Sequence, residues 1–222
     1  RGEVSSFLSA WLLLFLTEHS PLHVLSEDYS FTAHMVQHLL FMLVIPPLFI
    51  AGIPAWVFEK FVLRHTISLV ALRTATNPAV AFVAFNMALV LWHIPEMYDL
   101  ALRVHNVHLL EHVTLLLSGI LGWWPFRSKV NALPRLPYGL QMLYLFVMSI
   151  PMGFLGAIIT FARSPIYLSY SGAEAIFGIS QILDQQIGGL LMKSAAGVAF
   201  VALLAVVFFA WARSDEQEAS VR

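Results

Sequence analysis

Long apolar runs separated by short polar stretches repeat along the whole chain. A helix of roughly 20 apolar residues crosses the hydrocarbon core of a bilayer. Six runs come near or beyond that length: residues 5–22, 30–53, 77–94, 104–124, 137–161 and 180–211. The first is somewhat short. The second contains Pro46-Pro47, which remove backbone donors and predict a break or bend. Pro78 falls at a natural first-turn position of the third, and Pro151 lies inside the fifth. The sixth is long enough to tilt or protrude. The expected fold is all-α: a polytopic transmembrane helical bundle over residues 1–212, with a polar cytoplasmic tail over 213–222. The chain begins at Arg1, already close to an apolar run, and reads as trimmed, with an upstream helix missing.

Composition agrees with this pattern. The chain is 59% hydrophobic and 11% charged, more apolar than any soluble domain of this size requires. Its net charge of -1 gives no reason to expect nucleic acid as a partner; the lipid bilayer is the expected one. It has no cysteine, which removes disulfides and thiolate ligands and leaves His, Met and carboxylates for any metal. No nucleophile–base–orienter set, phosphate loop or pair of catalytic carboxylates stands out, so an enzyme is not expected. Glu27-Asp28 reads as an exposed loop pair.

Loop charge sets the expected orientation, because basic residues favour the cytoplasmic side. Lys60, Arg64 and Arg73 follow the second run, and Arg127, Lys129 and Arg135 follow the fourth. The alternate loops hold only Arg103 and Arg163, together with Glu27, Asp28, Glu96, Asp99 and Glu174. Both ends of the chain therefore read as cytoplasmic. The same assignment gathers His19, His23, His34, His38, His93, His105, His108 and His112 at the outer side and leaves only His65 at the inner.

His34 and His38 are one helical turn apart, as are His108 and His112, so each pair shares a face. His38 and His112 each lie about 12 Å inside their runs at 1.5 Å per residue. Imidazoles within a bilayer are costly and mark functional sites. Two facing pairs would offer four imidazoles to a metal. With Met35 nearby and no thiol, copper suits the set, and zinc stays open on ligand type. His93 and Met97 are further candidates. Glu111 and Asp184 are candidates to orient ligand imidazoles, although Asp184 also suits a helix start. The plainer alternative is that the histidines make interhelical hydrogen bonds. Gly188 and Gly189 predict close helix packing. Lys193 stands a dozen residues into the last run, snorkelling or paired. Trp123, Trp124 and Tyr138 read as interfacial aromatics.

In order, AHMVQHLLFMLVIPPLFIAGIP, WHIPEMYDLAL, HLLEH and DQQIGGLLM resemble the CtaG family of integral-membrane assembly factors for caa3-type cytochrome c oxidase. The resemblance runs from about residue 20 to residue 211, and the combination of motifs is more specific than any one. It implies a bacterial plasma-membrane protein that matures a haem–copper oxidase at its copper centre, with oxidase subunits as partners. Carried over by motif, the expected site is His34, Met35, His38, His93, His108 and His112, supported by Glu111, Asp184 and Gln185, on the outer, periplasmic side. Two departures stand out: the family's seventh, upstream span is absent here, and Lys193 stands where an aromatic often follows the last motif's Met. The rival readings are a membrane cytochrome with bis-His haem b and a metal transporter.

Overall fold

A computed structural model of the chain describes residues 2–62, 66–170 and 178–220. Arg64, His65 and Glu174, used above for orientation, and Arg1 lie outside the described residues. Among the described residues the fold is helical throughout, with no strand. In chain order the helices are α1 (Gly2–His19), α2 (Pro21–Asp28), α3 (Phe31–Gly52), α4 (Thr66–Ala75), α5 (Pro78–Trp92), α6 (Pro95–Arg103), α7 (His105–Arg127), α8 (Tyr138–Thr160) and α9 (Gln181–Ser220).

Four of these, α3, α7, α8 and α9, are long and apolar enough to cross a membrane, and the bent pair α4–α5 makes a fifth if counted as one span. That corrects the six expected. The 18-residue α1 carries Glu3 near one end and Glu18-His19 at the other, so too little of its length is apolar. The 15 residues of α5 are too few alone, and α4 meets α5 at 65°. Residues 213–220 of the expected tail are helical, as α9 continues through them to Ser220. At 40 residues and 1.5 Å each, α9 is about 60 Å long, twice the hydrocarbon thickness.

The starts of the helices follow from local chemistry. Ser20 caps α2, Ser30 caps α3 and Asn77 caps α5, each accepting a bond from a first-turn N–H. Pro21, Pro78 and Pro95 open their helices, where a missing N–H costs nothing. α3 does not break at Pro46-Pro47. Instead Leu40–Val44 winds as one π-turn and the helix continues. Pro46 has no N–H for the Met42 carbonyl four residues back, and the indole of Trp123 on α7 donates to that carbonyl at 2.8 Å. Trp123 and Trp124 are both buried in the bundle, and Trp124 donates to the Leu133 carbonyl.

Glycines bring the backbones together. A Cβ at Gly119 of α7 would stand 2.7 Å from Pro46 Cγ and 2.9 Å from the Phe41 carbonyl. One at Gly188 would meet the Phe31 ring at 2.5 Å, and one at Gly189 the Thr160 nitrogen at 2.8 Å. Both positions allow close packing as expected. Lys193 is exposed on α9, and its ammonium lies 5.8 Å from the Phe161 ring centre, the geometry of a snorkelling side chain.

The two ends of the bundle differ in character. At one end Lys129 pairs with Glu3 at 2.9 Å and donates to the Ala51 carbonyl, while Arg73 donates to the Ala132 carbonyl. At the other end stand α2, α6, the starts of α3, α7 and α9, and all the described histidines.

Candidate metal centre

His34 and His38 project from the first two turns of α3 toward α7, which presents His108, Glu111 and His112. All five side chains are buried, none more than 4% exposed. The Nε2 atoms of His34 and His38 are 2.8 Å apart. Glu111 stands between the helices: its Oε1 is 3.2 Å from His38 Nε2 and 3.7 Å from His34 Nε2, and its Oε2 is 4.0 Å from His108 Nε2. One ligand atom each from His34, His38, Glu111 and His112 fits within a mutual distance of 4.8 Å.

The tautomers of the α7 histidines are set from outside the cluster. His108 Nδ1 bonds to Glu27 of α2 at 2.7 Å, and His112 Nδ1 bonds to Glu18 of α1 at 2.9 Å. An ionised carboxylate only accepts, so each bond puts a proton on Nδ1 and, in the neutral imidazole, leaves the Nε2 lone pair for another partner. Both Nε2 atoms are buried without a hydrogen-bond partner, as are both Glu111 oxygens. Imidazoles oriented by a carboxylate through one nitrogen, with the other nitrogen free, are the usual preparation for metal ligation. Leaving such groups unpaired in an apolar setting is otherwise expensive.

His93, just past the end of α5, is held in the same way by the backbone. Its Nδ1 lies 2.7 Å from the Leu89 carbonyl, which fixes the proton there, and its Nε2 faces Met35 Sδ at 3.4 Å. The rings of His93 and His38 are 5.2 Å apart. Met35 thus turns its sulfur to His93 at the edge of the cluster. The donors at the centre are nitrogen and carboxylate oxygen.

Aromatic rings close the cluster from the α6 side. Tyr98 packs 4.9 Å from the His34 ring and joins Phe31 and Tyr167. Tyr98 and Tyr170 share a hydroxyl contact of 2.9 Å, and Tyr170 donates to the Ser26 carbonyl. Burial pushes both phenols well up from their usual range, so they stay neutral. The segment carrying Tyr167 and Tyr170 is tied down by Asp99, which accepts from Leu168, Ser169 N and Ser169 Oγ.

Asp184 and Gln185 make their bonds to backbone and hydroxyl groups around the starts of α3 and α9. Asp184 accepts from Ser30 Oγ, Phe31 N and Thr32 N, so it caps α3 from the first turn of α9. Gln185 accepts from Ile166 N. Among the described contacts neither reaches an imidazole. The carboxylates that do orient imidazoles, Glu18 and Glu27, were not foreseen, and Glu27 is half-buried on α2 rather than in a loop. The one sequence signal for them is the one-turn spacing of His23 and Glu27. Met97 is half-buried and packs on the core, while His19 and His105 are exposed.

The family model of the cytochrome c oxidase caa3 assembly factor matches residues 1–214, nearly the whole chain. The chain belongs to that family. Among curated proteins, an uncharacterized protein of Mycobacterium bovis and one of Mycobacterium tuberculosis are each 24% identical over 234 residues. An uncharacterized protein of Mycobacterium leprae is 22% identical over 243 residues. These alignments cover 98–99% of this chain but 35% of each relative, so the caa3 assembly factor chain spans about a third of the length of the curated relatives it matches. No solved structure matches it.

Proposed function

We propose that this member of the caa3 assembly factor family binds copper at His34, His38, His112 and Glu111 and delivers it to a haem–copper oxidase during assembly. The carrying observation is that His108 and His112, held through Nδ1 by Glu27 and Glu18, keep buried Nε2 atoms without a hydrogen-bond partner in the cluster around Glu111, whose carboxylate has the Nε2 atoms of His34, His38 and His108 within 4.0 Å. A cation placed there would satisfy the His112 lone pair and the Glu111 charge together, with His34 and His38 completing the set. His108 stands at the edge of this set, and His93 with Met35 offers a second nitrogen and a thioether beside it.

Glu111 takes a different part from the one its sequence position suggested. At the centre of the cluster it is a ligand rather than an orienting partner, and Glu18 and Glu27 do the orienting. A set of three imidazoles and a carboxylate suits copper(II) and zinc(II), and copper(II) binds such sites more tightly. An assembly factor for a copper-containing oxidase supplies the reason to prefer copper. Its expected place is the bacterial plasma membrane, with the histidine end outward and oxidase subunits as clients, and it needs no catalytic step of its own.

The haem alternative has less support. His38 and His112 have ring centres 6.4 Å apart, but His34 and Glu111 occupy the space between the two helices that a macrocycle would need. A transporter would need a polar route through the bundle, whereas below the cluster the core is Phe41, Met42, Ile45, Leu115 and Phe85.

The test is metal analysis of protein purified after growth with copper and zinc together. Wild type is expected to carry about one copper per chain, and His38→Ala and His112→Ala to lose it while remaining folded. Zinc in place of copper would overturn the metal assigned. A Soret band would overturn the copper reading in favour of haem.

A further inference from the structure

A second group of ionisable side chains stands between the buried cluster and the surface. His23 and Glu27 on α2, with His108, offer ligand atoms within 4.8 Å of one another. His23 Nε2 is 3.5 Å from Glu27 Oε2, and His23 Nδ1 is 4.0 Å from Glu18 Oε2. The side chains of His23, Glu18 and Glu27 are 23–31% exposed, against 3% for His108 and 4% for His112. A cleft of about 510 Å³ opens beside them, lined by Glu18, His19, His23, His105 and His112 on its polar side. Glu18 is the one carboxylate among its lining residues and no Lys or Arg is, while Glu27 stands against His23 of the same lining, so the field at this end of the cleft favours cations.

Two imidazoles join this outer group to the inner one. His108 holds Glu27 through Nδ1 and turns Nε2 toward Glu111. His112 holds Glu18 through Nδ1 and belongs to the buried cluster. Bare cations are costly in an apolar interior. A path along which each outgoing ligand is replaced by another within a few ångströms avoids that cost.

We propose that His23 and Glu27, with Glu18 beside them, form a half-exposed receiving site for divalent copper, from which the ion passes by His108 and His112 into the buried cluster. This rests on the reading of the buried cluster as a copper site. The transfer is ligand exchange only: the ion gives up water and then His23 and Glu27, passes by the Nε2 atom of His108, and gains His112, Glu111, His34 and His38. No bond within the protein is made or broken.

The experiment uses the purified full chain in detergent, with copper(II) chloride as probe. It follows loading by stopped-flow quenching of tryptophan fluorescence and counts equivalents at equilibrium. Wild type is expected to take one tight and one weaker equivalent. His23→Ala should lose the weaker equivalent, keep the tight one, and fill it roughly tenfold more slowly or worse, the lower end of what outer partners of a metal site contribute. His23→Gln, which preserves a polar partner for Gln37, should behave alike and guards against misfolding as the cause. Both variants loading at the wild-type rate with the wild-type number of equivalents would overturn the receiving site while leaving the buried site intact. No tight equivalent in wild type, or one that survives His38→Ala, would instead overturn the buried site and the path to it.

Discussion

At the scale of single residues, two carboxylates expected to orient imidazoles, Glu111 and Asp184, sit in different surroundings. Glu111 lies one turn from His108 and next to His112, the spacing of an orienting partner, yet its side chain reaches the centre of the cluster. Glu111→Gln keeps the shape and removes the charge. Metal affinity should then fall by more than about 100-fold, beyond the 10–100-fold range of outer partners. A competition titration with a chromophoric chelator measures this, and unchanged affinity would return Glu111 to the outer role. Asp184 shares the histidine layer but spends both oxygens on the start of α3. Asp184→Ala removes that cap and should cost about 1–2 kcal/mol of stability, seen as a lower Tm in detergent. Metal stoichiometry should not change. Loss of metal from the folded variant would show that Asp184 reaches the site after all.

At the scale of elements, the helices that are uniformly apolar were legible and the irregular ones were not. Expected runs at 30–53, 104–124, 137–161 and 180–211 correspond to α3, α7, α8 and α9 within a few residues. Both one-turn histidine pairs were legible for the same reason, because helical periodicity alone puts each on a face. The π-turn at Leu40–Val44 was not legible, since its freed carbonyl is satisfied by Trp123, more than 80 residues away in sequence. Nor was the approach of α2, which brings Glu27 to His108, because nothing local dictates how a short helix folds back. The contact that fixes α7 against the π-turn is Gly119. Gly119→Ala would push a methyl into Pro46 and the Phe41 carbonyl and should destabilise by about 1–3 kcal/mol, the usual cost of overpacking. Gly139→Ala, whose Cβ would meet nothing within 4 Å, serves as the comparison. Equal Tm values for the two variants would mean that the helices part without cost.

At the scale of the whole molecule, the described loops divide by charge along the bundle axis. Lys60, Arg73, Arg127, Lys129 and Arg135 lie toward the Lys129–Glu3 end. The histidine end has Arg103 and Arg163 with Glu18, Glu27, Glu96, Asp99 and Asp184. The asymmetry survives the reduction from six spans to four or five, because it depends on which loops share an end rather than on how many helices cross. Basic loops are retained in the cytoplasm, so the histidine end should face outward, where the receiving cleft would meet metal before it reaches the cytosol. The chain has no native cysteine, so single cysteines report without background. Glu96→Cys and Arg163→Cys, at exposed positions of the histidine end, should react in intact cells with a maleimide that cannot cross the membrane. Asn131→Cys and Arg135→Cys, at exposed positions of the basic end, should react only after the membrane is opened. None of the four touches the cluster, so labelling and metal content can be read on the same protein. The reverse pattern, with residues 131 and 135 labelled from outside, would turn the molecule over and make its site a cytoplasmic one.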